Sequence, residues 1–120
     1  MAEKKELKEN DIEYLLENSD FSQTIKQSAN TVIVVMTQSW CPQWVFMKTW
    51  LYSLKVDDLD IYELVYNKHN RFEAILSLKE NSFGNYPIPY LRIYQKGELV
   101  NEYNNISKRR LYSVLKKLKK

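Results

Sequence analysis

The segment Thr31–Thr37, TVIVVMT, carries no charge and is apolar or β-branched throughout. Such a run suits a strand buried on both faces, as the central strand of a sheet with parallel neighbours is. Its apolar heart, residues 32–36, is far too short to cross a bilayer. A strand of this kind needs helices above and below it, and the flanking sequence offers them. Residues 21–28 read as a helical turn or two. Residues 42–55 read as a helix begun by Pro42, whose missing N–H would be unpaired at a helix start anyway. That helix is apolar nearly all round, through Trp44, Val45, Phe46, Met47, Trp50, Leu51 and Leu54, and is expected to be covered on most sides.

Residues 60–66 form a second strand, and Phe72, Ile75, Leu76 and Lys79 mark a helix that ends near Gly84. Tyr90–Gln95, a turn at Lys96 and Gly97, and Glu98–Tyr103 read as a β-hairpin. Ser107 is a natural N-cap for a last helix whose buried stripe is Leu111, Val114, Leu115 and Leu118. Residues 10–17 fit two descriptions. Ile12, Leu15 and Leu16 suit a helix begun at Asp11, which is preferred, whereas Ile12, Tyr14 and Leu16 suit a strand. This order of elements implies an α/β fold, a mixed central sheet of four or five strands with helices on both faces.

At 120 residues the chain has room for one compact domain, residues 1–120, and not for two. Residues 1–20 are its least defined part, taken as an added N-terminal helix. With 44% hydrophobic and 28% charged residues the composition is globular, not that of a disordered chain. Cys41 is the only cysteine, which excludes an internal disulfide and points to a reducing compartment. The N-terminus alternates Lys with Glu and Asp and lacks the apolar core of a signal peptide, so a cytoplasmic location is expected.

The net charge of +3 is too small to suggest nucleic-acid binding, yet the basic residues are unevenly placed. Lys108, Arg109, Arg110, Lys116, Lys117, Lys119 and Lys120 crowd the C-terminus. They read as the solvated face of the last helix, the late lysines standing where the helix dipole favours cations. Neither nucleic acid nor a membrane is an expected partner.

Cys41 falls between the buried strand and the first turn of a helix, where unpaired backbone N–H groups and the helix dipole stabilise a thiolate. It is the candidate nucleophile. The competing description is an inert cysteine packed as a small hydrophobe. His69, the only histidine, sits among Asn67, Lys68, Asn70 and Arg71 and reads as an exposed loop residue that nothing brings to Cys41. No metal-ligand spacing is present and no cofactor is implied. Trp40, Trp44, Trp50 and Tyr52 read as core and pocket wall, with Trp40 and Trp44 rimming an apolar docking groove.

Residues 31–41, TVIVVMTQSWC, resemble the central strand and the Trp-Cys that open the thioredoxin active site. Residues 88–99, IPYLRIYQKGEL, resemble that family's Ile-Pro loop, strand, Lys-Gly turn and final strand. The order of elements matches from residue 21 to residue 120. The resemblance implies a thioredoxin-like fold in which Cys41 is the redox thiol and Pro89 the cis-proline beside it. It further implies that the backbone at Ile88 receives an extended peptide by strand addition. Trp40, Pro42, Trp44, Ile88 and Pro89 then make the substrate-binding surface.

Two departures from that family matter. Trp44 stands where thioredoxins have the second, resolving cysteine, and Val35 stands where they keep a buried acidic proton acceptor. Without a resolving thiol, a mixed disulfide at Cys41 is released only by another thiol in solution. Pro42 directly after the cysteine resembles the glutaredoxin arrangement and brings in glutathione, or another low-molecular-weight thiol, as a partner. The valine-proline loop and the Gly-Gly and acidic segment with which glutaredoxins hold glutathione have no close match here.

Two functions follow. One is a one-thiol redox protein acting on protein disulfides or mixed disulfides through Cys41, a monothiol thiol-disulfide oxidoreductase if it is an enzyme. The other is a non-catalytic module that binds a protein or peptide partner through Trp40, Trp44, Ile88 and Tyr90. Fold likeness does not decide between them. The presence of Cys41 and Pro89 favours the first by a small margin.

Overall fold

Thr31–Thr37 (β2) occupies the centre of a five-stranded sheet, and all of its residues are buried. The computed structural model describes residues 2–118, so that Lys119 and Lys120 of the basic C-terminus lie outside the described residues. In chain order the elements are β1 (Glu3–Glu6), α1 (Glu9–Asn18), α2 (Gln23–Lys26), β2, α3 (Pro42–Leu51), β3 (Leu59–Val65), α4 (Phe72–Ser77), β4 (Tyr90–Gln95), β5 (Glu98–Tyr103) and α5 (Lys108–Leu118). The strands lie in the order β1-β3-β2-β4-β5. β1, β3 and β2 run parallel, whereas β4 is antiparallel to β2 and to β5.

Alternation along β2 divides the core in two. Ile33 and Val35 point to one face, where α3 and α5 cover them through Trp44, Met47, Leu51, Leu111 and Leu115. Val32, Val34 and Met36 point to the other, under Ile12 and Leu15 of α1, Ile25 of α2 and Ile75 of α4. On that second face the buried Arg92 guanidinium bonds the hydroxyls of Tyr94 at 2.7 Å and Tyr90 at 2.8 Å and stacks 3.8 Å over Phe83.

Residues 10–17 are helical, as preferred, and Asp11 fixes the start of α1 by accepting the Lys8 N–H at 2.8 Å. Ahead of it lies a strand that the sequence pattern does not announce. Glu3–Glu6 has four exposed, charged side chains, yet its backbone pairs with β3 as the outer strand, where charge protects an open edge. Helix α3 also departs from expectation. It ends at Leu51, short of residue 55, and only its Trp44, Met47, Trp50 and Leu51 are buried, leaving Val45 and Phe46 in solvent. The helix after β3 passes into a π-helical turn, Leu78–Ser82, before Gly84, whose φ of +66° suits glycine. Among the described residues no helix is long and apolar enough to cross a membrane.

Candidate functional site

The end of β2 and the start of α3 place Cys41 just beyond the C-terminal end of the central strand. Cys41 is the N-cap residue of α3, in extended backbone, with Pro42 in the first helical turn. Its N–H donates to the Gln38 carbonyl at 3.2 Å, and its own carbonyl accepts the Val45 N–H at 3.0 Å, which fixes the turn. The thiol faces two acceptors, Gln43 Oε1 at 3.4 Å and the carbonyl oxygen of Ile88 at 3.7 Å. The residue is only 1% exposed and belongs to the core cluster that holds Val35 and Trp44. Of its two acceptors Gln43 is an exposed residue and Ile88 a half-buried one.

Across from Cys41 runs the loop that leads into β4. The Ile88–Pro89 peptide bond is cis. Two side chains tie this loop down. Lys79, fully buried, places its ammonium 2.9 Å from each of the carbonyl oxygens of Asn85, Tyr86 and Pro87, satisfying all three of its donors. Burial pushes its pKa down to about 8, against a smaller upward pull from Glu80. Asn104, just after β5, exchanges amide hydrogen bonds with Asn85 and donates to the carbonyls of Pro87 at 2.9 Å and Pro89 at 3.2 Å.

The remaining residues expected at the site separate. Trp40 is 63% exposed beside the thiol, its indole N–H donating to Gln38 Oε1 at 2.6 Å, and Pro42 is exposed on the other side. Ile88 is half-buried and Pro89 buried. Trp44 does not rim a docking groove, because at 1% exposure it fills the core beneath the thiol. Tyr90 likewise offers no surface, since it lies on the opposite face of the sheet with its hydroxyl bonded to Glu102 and Arg92. His69 sits away from Cys41, with Nδ1 accepting the Arg71 N–H at 2.9 Å and Nε2 facing Glu9 at 3.1 Å.

Sequence reasoning missed Gln43, Lys79 and Asn104 as contributors. Lys79 does carry a signal, being the one charged residue among the helix positions assigned to the core. Asn104 and Gln43 carry none, because their role depends on where a distant loop lies.

No protein-family model matches the sequence, and no curated protein matches it. Solved structures do. Oxidised thioredoxin O2 from Arabidopsis thaliana superposes with a TM-score of 0.70 at 19% identity, over 98% of this chain and 95% of that one. The chain has the thioredoxin fold. Oxidised thioredoxin O1 from Arabidopsis thaliana agrees at a TM-score of 0.69 and 14% identity over 99% of this chain and 98% of that one. Reduced Schistosoma mansoni thioredoxin pre-protein does so at 0.65 and 21% over 97% and 98%. Within this thioredoxin fold the lone cysteine is the residue that caps the helix after the central strand, and the next turn inward holds a tryptophan.

Proposed function

We propose that the chain docks a protein segment against Cys41 and exchanges a disulfide with it through this single thiol. The observation that carries the reading is the position of the sulfur. It lies at the start of α3, 3.7 Å from the Ile88 carbonyl and 3.4 Å from Oε1 of the exposed Gln43. Extended backbone laid along Ile88 passes next to that sulfur. In the exchange the Cys41 thiolate attacks one sulfur of the partner's disulfide. A Cys41–S–S–partner bond forms as the partner's own S–S bond breaks, and the expelled sulfur takes up the proton that Cys41 lost. Trp44 supplies no thiol to finish the reaction, so a low-molecular-weight thiol of the glutathione class attacks the Cys41 sulfur and frees the reduced partner. A second such thiol restores Cys41, leaving one oxidised pair of small thiols for each partner disulfide reduced.

A second reading, a docking module with no redox step, draws on a contrast in exposure. Cys41 is 1% exposed, whereas Trp40 and Phe46 nearby stand out at 63% and 70%. The two readings differ in one product. Reduced protein is incubated with a peptide bearing an internal disulfide and examined by mass spectrometry. A one-to-one adduct that dithiothreitol removes and that Cys41→Ser lacks is expected. Equal non-covalent binding by the two forms with no adduct establishes the module instead.

A further inference from the structure

Two stretches of chain wall the seam between α3 and α5, residues 38–56 and residues 103–118. Neither contains an Asp or Glu, although the chain has 15, and they carry seven of its 18 Lys and Arg. Between them runs an open apolar groove of about 410 Å3, formed by Pro42, Phe46, Met47, Trp50 and Ile106 among others. Past Trp50 and Ser107 the seam opens again into a hollow of about 220 Å3 lined by Ser53, Leu54, Lys55, Lys108 and Tyr112. Lys116 Nζ lies 5.7 Å from the ring of Tyr112, one of the residues that line that hollow.

The first turn of α5 sharpens the point. Lys108, Arg109 and Arg110 stand at the end of the helix where backbone N–H groups already present positive charge, with no acidic residue to offset them. Lys116 and Lys117, at the other end, agree with the dipole; these three oppose it. Among the described residues Lys55, Lys108 and Arg109 form no ion pair. Fold stability therefore does not account for them.

We infer that this seam takes an acidic segment of a partner protein. A bulky apolar side chain of the segment seats beside Phe46, and carboxylates further along reach Lys55 and Lys108. Of the residues that line these two hollows the cations, Lys55 and Lys108, belong to the second alone, which suits an apolar side chain followed by carboxylates and not a phosphate backbone. Phe46 to Leu51, the end of α3, covers about 7.5 Å of helix axis, so an extended chain of about three residues reaches past the helix end. The inference rests on the reading that a protein docks beside Cys41, and it names the chemistry of that partner.

The test is a titration of the isotopically labelled protein, followed by NMR. The probe is a short peptide with one Phe and, about three residues on, consecutive Asp and Glu. Its counterparts carry Asn and Gln for the acids, or Ser for the Phe. Saturable shifts at Phe46, Trp50, Ser107 and Lys108 are expected, with affinity about tenfold above the neutral peptide and falling as salt rises. Lys108→Glu with Arg109→Glu removes that preference while raising the thermal midpoint, since carboxylates at the helix start agree with its dipole. If the neutral peptide binds the seam as tightly, or the acidic one shifts only Trp40 and Ile88, the acidic partner is wrong and docking beside Cys41 stands. If no peptide perturbs either group, both fall. Binding of oligothymidylate or phosphatidylserine vesicles through Lys108 and Arg109, with the acidic peptide inert, overturns the inference in favour of a phosphate-bearing partner.

Discussion

Cys41 lies between two walls built on different principles. On one side, residues 85–89 are held by polar ties, with three carbonyls on the Lys79 ammonium and two on the Asn104 amide. On the other, α3 and residues 105–107 enclose an apolar groove with cations only at its rim. The first wall is fixed before any partner arrives, because each bond breaks only at a cost that water in a buried site does not refund. The second is shaped by apolar side chains, among them the exposed Phe46. One wall sets where a backbone lies; the other selects which side chain and charge come with it.

Trp44 is buried in the same core cluster as Cys41, and altering it has the largest expected effect. Trp44→Cys removes a buried aromatic and is expected to cost roughly 3–5 kcal/mol in urea unfolding. The folded variant should form a disulfide with Cys41 under mild oxidant, since position 44 follows Cys41 by three residues at the helix start. A folded variant in which the two sulfurs never join would show that Cys41 does not face the helix interior as described.

Lys79→Met strips the polar wall and should cost about 2–4 kcal/mol, because three loop carbonyls lose a charged donor. The same residue gives the comparison a pH signature. Its pKa is depressed on folding to about 8 from an ordinary 10.5, so between those values the unfolded chain binds more protons and stability rises with pH. Burial raises the pKa of Tyr52, Tyr90 and Tyr94 on folding, to about 12 for Tyr94, helped by Glu63 at Tyr52 and by Glu102 at Tyr90 and opposed by Arg92 at Tyr90 and Tyr94. Their contribution is complete below about 10 and is lost as pH climbs beyond it. Wild-type stability should climb from pH 8 towards 10 and then decline, and Lys79→Met should lack the climb while retaining the decline.

Gln43→Ala removes one of the two acceptors that face the sulfur. Unfolding stability should change by no more than about 0.5 kcal/mol, as at other exposed positions, while Cys41 reacts several-fold faster with glutathione disulfide. An unchanged rate would place the barrier at the Ile88 loop and not at this side chain.

How much of this was legible in the residues depends on where each signal resides. The β2 run, the β4–β5 hairpin and the Ser107 cap, whose hydroxyl accepts the Arg110 N–H at 3.2 Å, are local patterns and read directly. β1 was not legible because EKKE has no apolar period, and its strand exists only through pairing with β3. The thioredoxin fold was legible from two short segments taken in order. The orientation of α3 was not. A helix apolar on several sides gives no hint which side turns inward, and the packing buried Trp44 and exposed Phe46. The ties from Lys79 and Asn104 were invisible for a related reason, since their acceptors are backbone oxygens that exist as a cluster only once the loop is folded.

The measurement closest to the central claim is the rate at which native Cys41 forms a mixed disulfide with glutathione disulfide, followed by mass over a range of reagent concentrations. A sulfur that the reagent reaches without global unfolding gives a rate that rises in proportion to reagent and falls short of the fully unfolded protein by a modest factor. A rate that does not depend on reagent and matches the rate of global unfolding would mean that Cys41 is sealed in the core, and that one-thiol exchange is not what this site does.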